Sequence, residues 1–300
     1  MQEIVIGNKS GDSFSVLPTH GAAISNLTLN HESVVKFPLV EGDLAKGYPS
    51  ALLFPFPNRV RDGKYSFEGV DYQLSRNETG RTHALHGFVS DEVFEVIDQK
   101  RNSVTLKHSY QGGKDGYPFP FELEVTYSIV RNHTFRLSYK ITNTGTQNMP
   151  CGFGWHPYFN LKDKKVGDLE ISLPNHYTFE VDDATIPFLT NEAGTHEITE
   201  GTSLSLKNEI LDNVYKVADA GKFAETKLTD GELTLTIKQQ TGKNLLNYIV
   251  LYTPPSRNSI AIEPQTANIN AFNNEGGLII LEAGKTVKGT VDVSLELIQP

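Results

Sequence analysis

The sequence predicts an all-β fold, a large antiparallel β-sandwich. Apolar and polar residues alternate with period two from end to end. Polar turn signals separate the alternating runs, and apolar stripes of helical period are nearly absent. Composition agrees. The 300 residues hold 25 Thr against 14 Ala, and Tyr and Phe together number 28. Thr and aromatic residues suit strands, whereas Ala suits helices.

In chain order, residues 64–67 and 70–74 alternate on either side of Glu68-Gly69 and read as a hairpin. Runs at 93–97 and 104–108 read as single strands. Leu123, Val125, Tyr127 and Ile129 share one face, Glu122, Glu124, Thr126 and Ser128 the other. Phe135, Leu137, Tyr139 and Ile141 repeat the pattern after Arg131-Asn132-His133, giving a second hairpin. Residues 202–213 are expected to hold one or two helical turns. A third hairpin spans 223–228 and 233–237 around Asp230-Gly231, and further strands are expected at 248–252, 259–262 and 290–297. Strands recurring roughly every ten residues imply stacked antiparallel sheets. No linker, low-complexity stretch or fixed-period repeat interrupts them. A single domain over residues 1–300 is expected, its sheets more extended than an immunoglobulin-like unit.

The net charge of −9, with no basic cluster, excludes a nucleic-acid scaffold. The single cysteine, Cys151, excludes an internal disulfide and a thiolate zinc site. The first residues lack a basic region followed by a long apolar one, and no apolar run approaches the roughly 18 residues of a membrane span. A soluble, cytoplasmic protein is therefore expected.

Four segments break the strand pattern. Residues 54–63 (Phe-Pro-Phe-Pro-Asn-Arg-Val-Arg-Asp-Gly) carry two prolines that exclude a central strand, and Arg59 and Arg61, whose guanidinium forks suit ligand oxygens or surface salt bridges. Residues 83–88 (His-Ala-Leu-His-Gly-Phe) place His83 and His86 three apart, with no third ligand at recognisable spacing for a metal. Residues 151–160 hold the only Trp, Trp155, beside His156, which can give or take a proton near neutrality. An aromatic face there can stack on a sugar or belong to the core. Glu263 ends an apolar strand before Pro264, where partial desolvation raises a carboxyl group's pKa and makes it a competent base. Asp212 sits between apolar residues at 210–215.

Together and in this order, these segments resemble the aldose 1-epimerase (galactose mutarotase) family. Asn58-Arg59-Val60 with the following hairpin is similar to the family's Asn-Arg-Ile stretch, and Leu85-His86-Gly87 to its Leu-His-Gly motif. His156-Pro157-Tyr158-Phe159-Asn160-Leu161 resembles its His-Ser-Tyr-Phe-Asn-Leu motif. Residues 211–215 resemble an Asp-His/Asn-x-Phe stretch, and Glu263 with Gln265-Thr266 and Asn270-Ala271 the Glu-Thr-Gln…Asn segment near the end. Pro157 and Pro264 stand where the family has Ser and Thr, which suggests a divergent bacterial-type branch.

The resemblance implies the galactose mutarotase-like supersandwich and an isomerase of hexose metabolism that exchanges the α and β anomers of an aldose without cofactor or metal. It assigns Glu263 as base at the C1 hydroxyl and His156 as acid at the ring oxygen, on different sides of the hemiacetal. Arg59, His86, Asp212, Asn58 and Trp155 are the expected substrate-binding residues. The partner is a small free aldose. A hexose 6-phosphate 1-epimerase, a non-catalytic sugar-binding or sugar-sensing domain, and a glycoside hydrolase using Asp212 and Glu263 are the alternatives.

Overall fold

The computed structural model describes residues 3–36, 47–187, 199–201, 203–218 and 221–298. The alternating runs form a nine-stranded antiparallel sheet in the order Ser203–Ser205, Glu170–Ser172, Phe223–Thr229, Leu233–Gln240, Thr286–Leu297, Thr134–Asn143, Phe121–Arg131, Ser103–Tyr110 and Glu95–Lys100. The predicted second hairpin pairs Leu123 with Ile141 and Tyr127 with Leu137, which puts its apolar set on one buried face.

That face packs on a seven-stranded sheet. Its order is His176–Thr178, Asp212–Val217, Tyr248–Tyr252, Ile260–Gln265, Gly154–His156 and Ala51–Leu53, with Tyr158–Phe159 also pairing to Ile260–Gln265. Aromatic rings bridge the layers. Tyr139 stacks on Phe153 at 4.1 Å, and Phe135 meets Trp155 at 6.1 Å. A four-stranded sheet (Ile4–Gly7, Ser13–Leu17, Ala23–Leu29, Glu32–Lys36) sends Phe14 against Phe135 at 5.4 Å and Tyr127 at 6.2 Å. One cluster of buried side chains runs through all three sheets. Burial of that apolar surface, at about 25 cal/mol per Å², is the main force holding the layers together.

Two local expectations are corrected. The strand expected at 93–97 runs instead from Glu95 to Lys100, because Phe94 turns into the core while the strand itself lies exposed on the sheet edge. Residues 203–213 hold no helix. Ser203–Ser205 joins the edge of the nine-stranded sheet, and Asp212 opens a strand of the seven-stranded one. Edge pairing offered this polar stretch hydrogen bonds that a short, poorly amphipathic helix lacks. Among the described residues the α-helix is a single turn, Ala271–Asn274, and no helix is long and apolar enough to cross a membrane.

Candidate active site

The strand Ile260–Gln265 lies inside the seven-stranded sheet and is buried along its whole length. Glu263 therefore sits at 1 % exposure. Its Oε2 accepts a hydrogen bond from Gln265 Nε2 at 3.0 Å, and its Oε1 lies 3.2 Å from His156 Nε2. His156, 5 % exposed, ends the neighbouring strand Gly154–His156.

Burial acts on the two groups in opposite directions because it penalises whichever form is charged. It pushes the Glu263 carboxyl well above the usual range. Asp212 adds to that push, while the Gln265 hydrogen bond and Arg59 oppose it. It brings the His156 imidazole down to about 4. Two groups this close share protons as a unit, and these directions favour a pair that holds one proton between them at neutral pH.

His86 completes the cluster. Its ring meets His156 edge-on at 5.3 Å and Tyr48 at 4.6 Å. The backbone at His86 and Gly87 takes φ values of +61° and +68°. Gly87 is required there, since a Cβ would lie 2.0 Å from the Phe54 carbonyl oxygen. His86 Nδ1 donates to the Pro57 carbonyl at 2.8 Å. Burial, then the neighbouring His156, hold His86 well below the usual imidazole value. The ring is thus neutral with its proton on Nδ1, which leaves Nε2 as an acceptor.

Arg59 is fixed from two sides. Its Nε donates to Glu78 Oε1 at 2.9 Å and its Nη1 to Thr185 Oγ1 at 2.6 Å. Arg81 also reaches Glu78, at 3.4 Å, and donates to the Ala184 carbonyl. Asn58, 5 % exposed, shapes the turn by accepting the Arg59 N–H on Oδ1. Asp212 is exposed at the start of its strand, opposite Tyr252, and its charge reaches Glu263 and Tyr158.

The structure thus brings Glu263, His156 and His86 together, with Arg59 and Asp212 near enough to act on them electrostatically. It places Trp155 elsewhere. Trp155 is fully buried and packs its ring between Phe135 and Phe159. The expectation that it binds substrate is corrected on a simple ground: neighbouring residues in a strand point to opposite faces, so a His156 aimed at the site sends Trp155 into the core. Tyr48 and Tyr158 supply the aromatic rings beside the histidines instead, at 4.6 Å from His86 and 5.0 Å from His156. Of the other candidates, Arg61 pairs with Asp182 at 2.5 Å, and His83 accepts the Asp62 N–H. Sequence reasoning missed Glu78 and Tyr48, which lie in loops without a periodic signal. Gln265 was detectable as the residue two positions beyond Glu263, on the same face of the strand. Among the described residues, no group of three or more His, Cys, Asp or Glu is arranged to hold a metal.

The layered sheets and the buried carboxylate–imidazole pair define a galactose mutarotase-like protein. The chain belongs to the aldose 1-epimerase family, whose model matches residues 2–294. It is 26% identical over 278 residues to the uncharacterized protein YihR of Escherichia coli (strain K12), covering 92% of this chain and 88% of YihR. It is also similar to the crystal structure of a galactose mutarotase-like protein from Clostridium acetobutylicum, with a TM-score of 0.82, 16% identity, and 96% and 94% of the two chains covered. The structure of galactose 1-epimerase from Lactobacillus acidophilus NCFM matches with a TM-score of 0.79 and 18% identity, over 99% of this chain and 95% of that one. At such identities these two structures establish the fold alone.

Proposed function

We propose that the protein is an aldose 1-epimerase that interconverts the α and β anomers of a free aldohexose. The observation that carries this reading is the buried contact of 3.2 Å between Glu263 Oε1 and His156 Nε2. The reaction moves two protons at one carbon. The shared proton first passes from Glu263 to His156 across their contact, and the ionised Glu263 then takes the proton of the C1 hydroxyl. The bond between C1 and the ring oxygen breaks, its electron pair stays on the ring oxygen, and His156 delivers a proton there. The C1–C2 bond turns, and closure on the other face of the carbonyl returns both protons. The two oxygens of a hemiacetal share one carbon, so they lie closer together than the acid and base do. A donor and an acceptor at this spacing address both at once.

The one-proton pair is regenerated in each turnover, so neither cofactor nor external acid enters the balance. Each positioned proton-transfer group contributes about 10²–10⁴-fold. His86, an acceptor at Nε2, takes a hydrogen bond from a sugar hydroxyl. Arg59 directs sugar oxygens, Asn58 holds the turn that carries it, and Asp212 accepts from hydroxyls at the exposed rim.

The charge balance favours a free sugar over a 6-phosphate. Arg61 is matched by Asp182, and Arg59 and Arg81 share Glu78, which leaves a single positive charge in excess against the two negative charges of a phosphate. A non-catalytic sugar-binding domain would have no use for a desolvated acid–base pair, whose burial costs folding energy.

Polarimetry of freshly dissolved α-glucose and α-galactose tests the proposal. Glu263→Gln keeps the side chain's size and removes the base, so the rate is expected to drop to the uncatalysed background with the fold intact. A variant rate close to wild type would sink the assignment.

A further inference from the structure

Gln265 is fully buried two residues beyond Glu263 on the same strand, so both side chains leave the sheet on one face. Its backbone pairs with Gly154 on one side and Tyr248 on the other. A Cβ at residue 154 would lie 3.1 Å from Gln265 Cγ and 2.8 Å from Pro57 Cβ. The absence of a side chain at Gly154 is therefore what leaves room for the Gln265 stem. The amide ends with Nε2 3.0 Å from Glu263 Oε2. In the ionised form that acts as base, Glu263 only accepts, so the bond then has the amide N–H toward Glu263. Its Oε1 then has no partner among the described residues.

We propose that Gln265 is a positioning residue for the reaction: its amide N–H holds Glu263 Oε2, so that Oε1, the oxygen facing His156, is the one that exchanges protons with the sugar. The inference rests on the mutarotase reading of the site. A carboxylate has two equivalent oxygens and a side chain free to rotate, and proton transfer needs one of them at a fixed place. Capping Oε2 removes the ambiguity, and favouring the ionised form counters part of the burial that drives Glu263 towards neutrality. The other groups acting on Glu263 are His156 from the adjoining strand, Tyr158 from the short strand that also pairs with its own, Arg59 from the 54–63 loop and Asp212 from the strand two places away. None of these donates to Oε2.

Gln265→Met tests this, because it keeps the volume beside Gly154 and deletes the donor. A neutral donor to a charged acceptor is lost, so the Glu263 carboxyl is expected to titrate about one unit higher or more. This is read by carbon-13 NMR, with Glu263→Gln assigning the signal. The kcat for mutarotation is expected to fall about 10- to 100-fold with KM held. Gln265→Asn, too short to reach Oε2, carries the same expectation should the Met variant not fold. A Glu263 titration that stays in place, or a kcat equal to wild type, overturns the inference while leaving the mutarotase reading intact. A wild-type protein without mutarotation overturns the reading, and the inference with it.

Discussion

Trp155 is the single tryptophan of the chain, and its substitution separates a core role from a sugar-stacking one. Its ring is fully buried, 6.1 Å from Phe135 and 6.2 Å from Phe159. Its indole N–H is buried without a hydrogen-bond partner among the described residues. Two effects then compete in Trp155→Phe. The smaller ring gives up on the order of 50 Å² of buried apolar area, about 1 kcal/mol, with a cavity contribution of similar size. Against this, removal of the unsatisfied N–H recovers about 1–3 kcal/mol. The expected net change is within about 1 kcal/mol of zero. Trp155→Ala has no such compensation and is expected to cost about 3–5 kcal/mol. Urea unfolding followed by circular dichroism measures both, since the substitutions delete the fluorophore. Polarimetry of the Phe variant is expected to return a wild-type KM for an aldose. A tenfold rise in that KM at unchanged stability, or a Trp155→Ala cost below about 1 kcal/mol, would show that the ring serves the ligand rather than the core.

Gly87→Ala is expected to lose at least about 1–3 kcal/mol from backbone strain alone. The new Cβ would also strike the Phe54 carbonyl at 2.0 Å and displace His86, lowering kcat. Thermal unfolding and polarimetry read the two losses, and a fully active, equally stable variant would contradict the geometry. The pH dependence of stability follows from His156. Its folded value of about 4 lies below the ordinary 6.5, so the fold holds the neutral form. The stability it contributes is complete above pH 6.5 and drains as the pH falls towards 4, by up to about 3 kcal/mol. Glu263, raised by burial, has the opposite sign: its contribution is present below its unfolded value and is lost as the pH rises through its folded one. In His156→Asn the loss of urea stability between pH 6.5 and 4 is expected to be shallower than in wild type. Equal slopes would remove His156 as its source. The same variant is expected to lose kcat while retaining affinity.

The sheets were legible because strand burial writes itself into every second residue. Leu123, Val125, Tyr127 and Ile129 are all buried, and so are their partners across the hairpin. Glu263 was legible as a carboxylate in an apolar strand, although that strand runs on past Pro264 to Gln265 rather than ending there, and His156 as a histidine fenced by aromatic residues and glycines. The same periodicity argues against Trp155 as a site residue, since it cannot share a face with its neighbour His156. What the sequence withheld was contact between distant loops. Glu78 meets Arg59 across 19 residues and Thr185 meets it across 126, and no local pattern anticipates either. Residues 203–213 misled because a short polar stretch carries little periodicity, and their structure was decided by pairing at the edge of one sheet and within another.

Glu263 and His156 stand on strands locked between two neighbours and backed by a second sheet, whereas Arg59, Asn58 and His86 stand on connecting segments. On the proposed reading, chemistry and most of recognition, Asp212 excepted, are carried by parts of the chain with different tolerance to change. Side-chain exchanges in the loops around 54–63 and 77–87 that spare the close backbone approach of Gly87 to Phe54 and the packing of Pro57 on Gly154 are expected to leave the spacing of the proton-transfer pair unaltered. On that reading, a change of sugar is expected to come from side chains on the loops. Changing the reaction itself would require rebuilding a strand in the middle of a sheet.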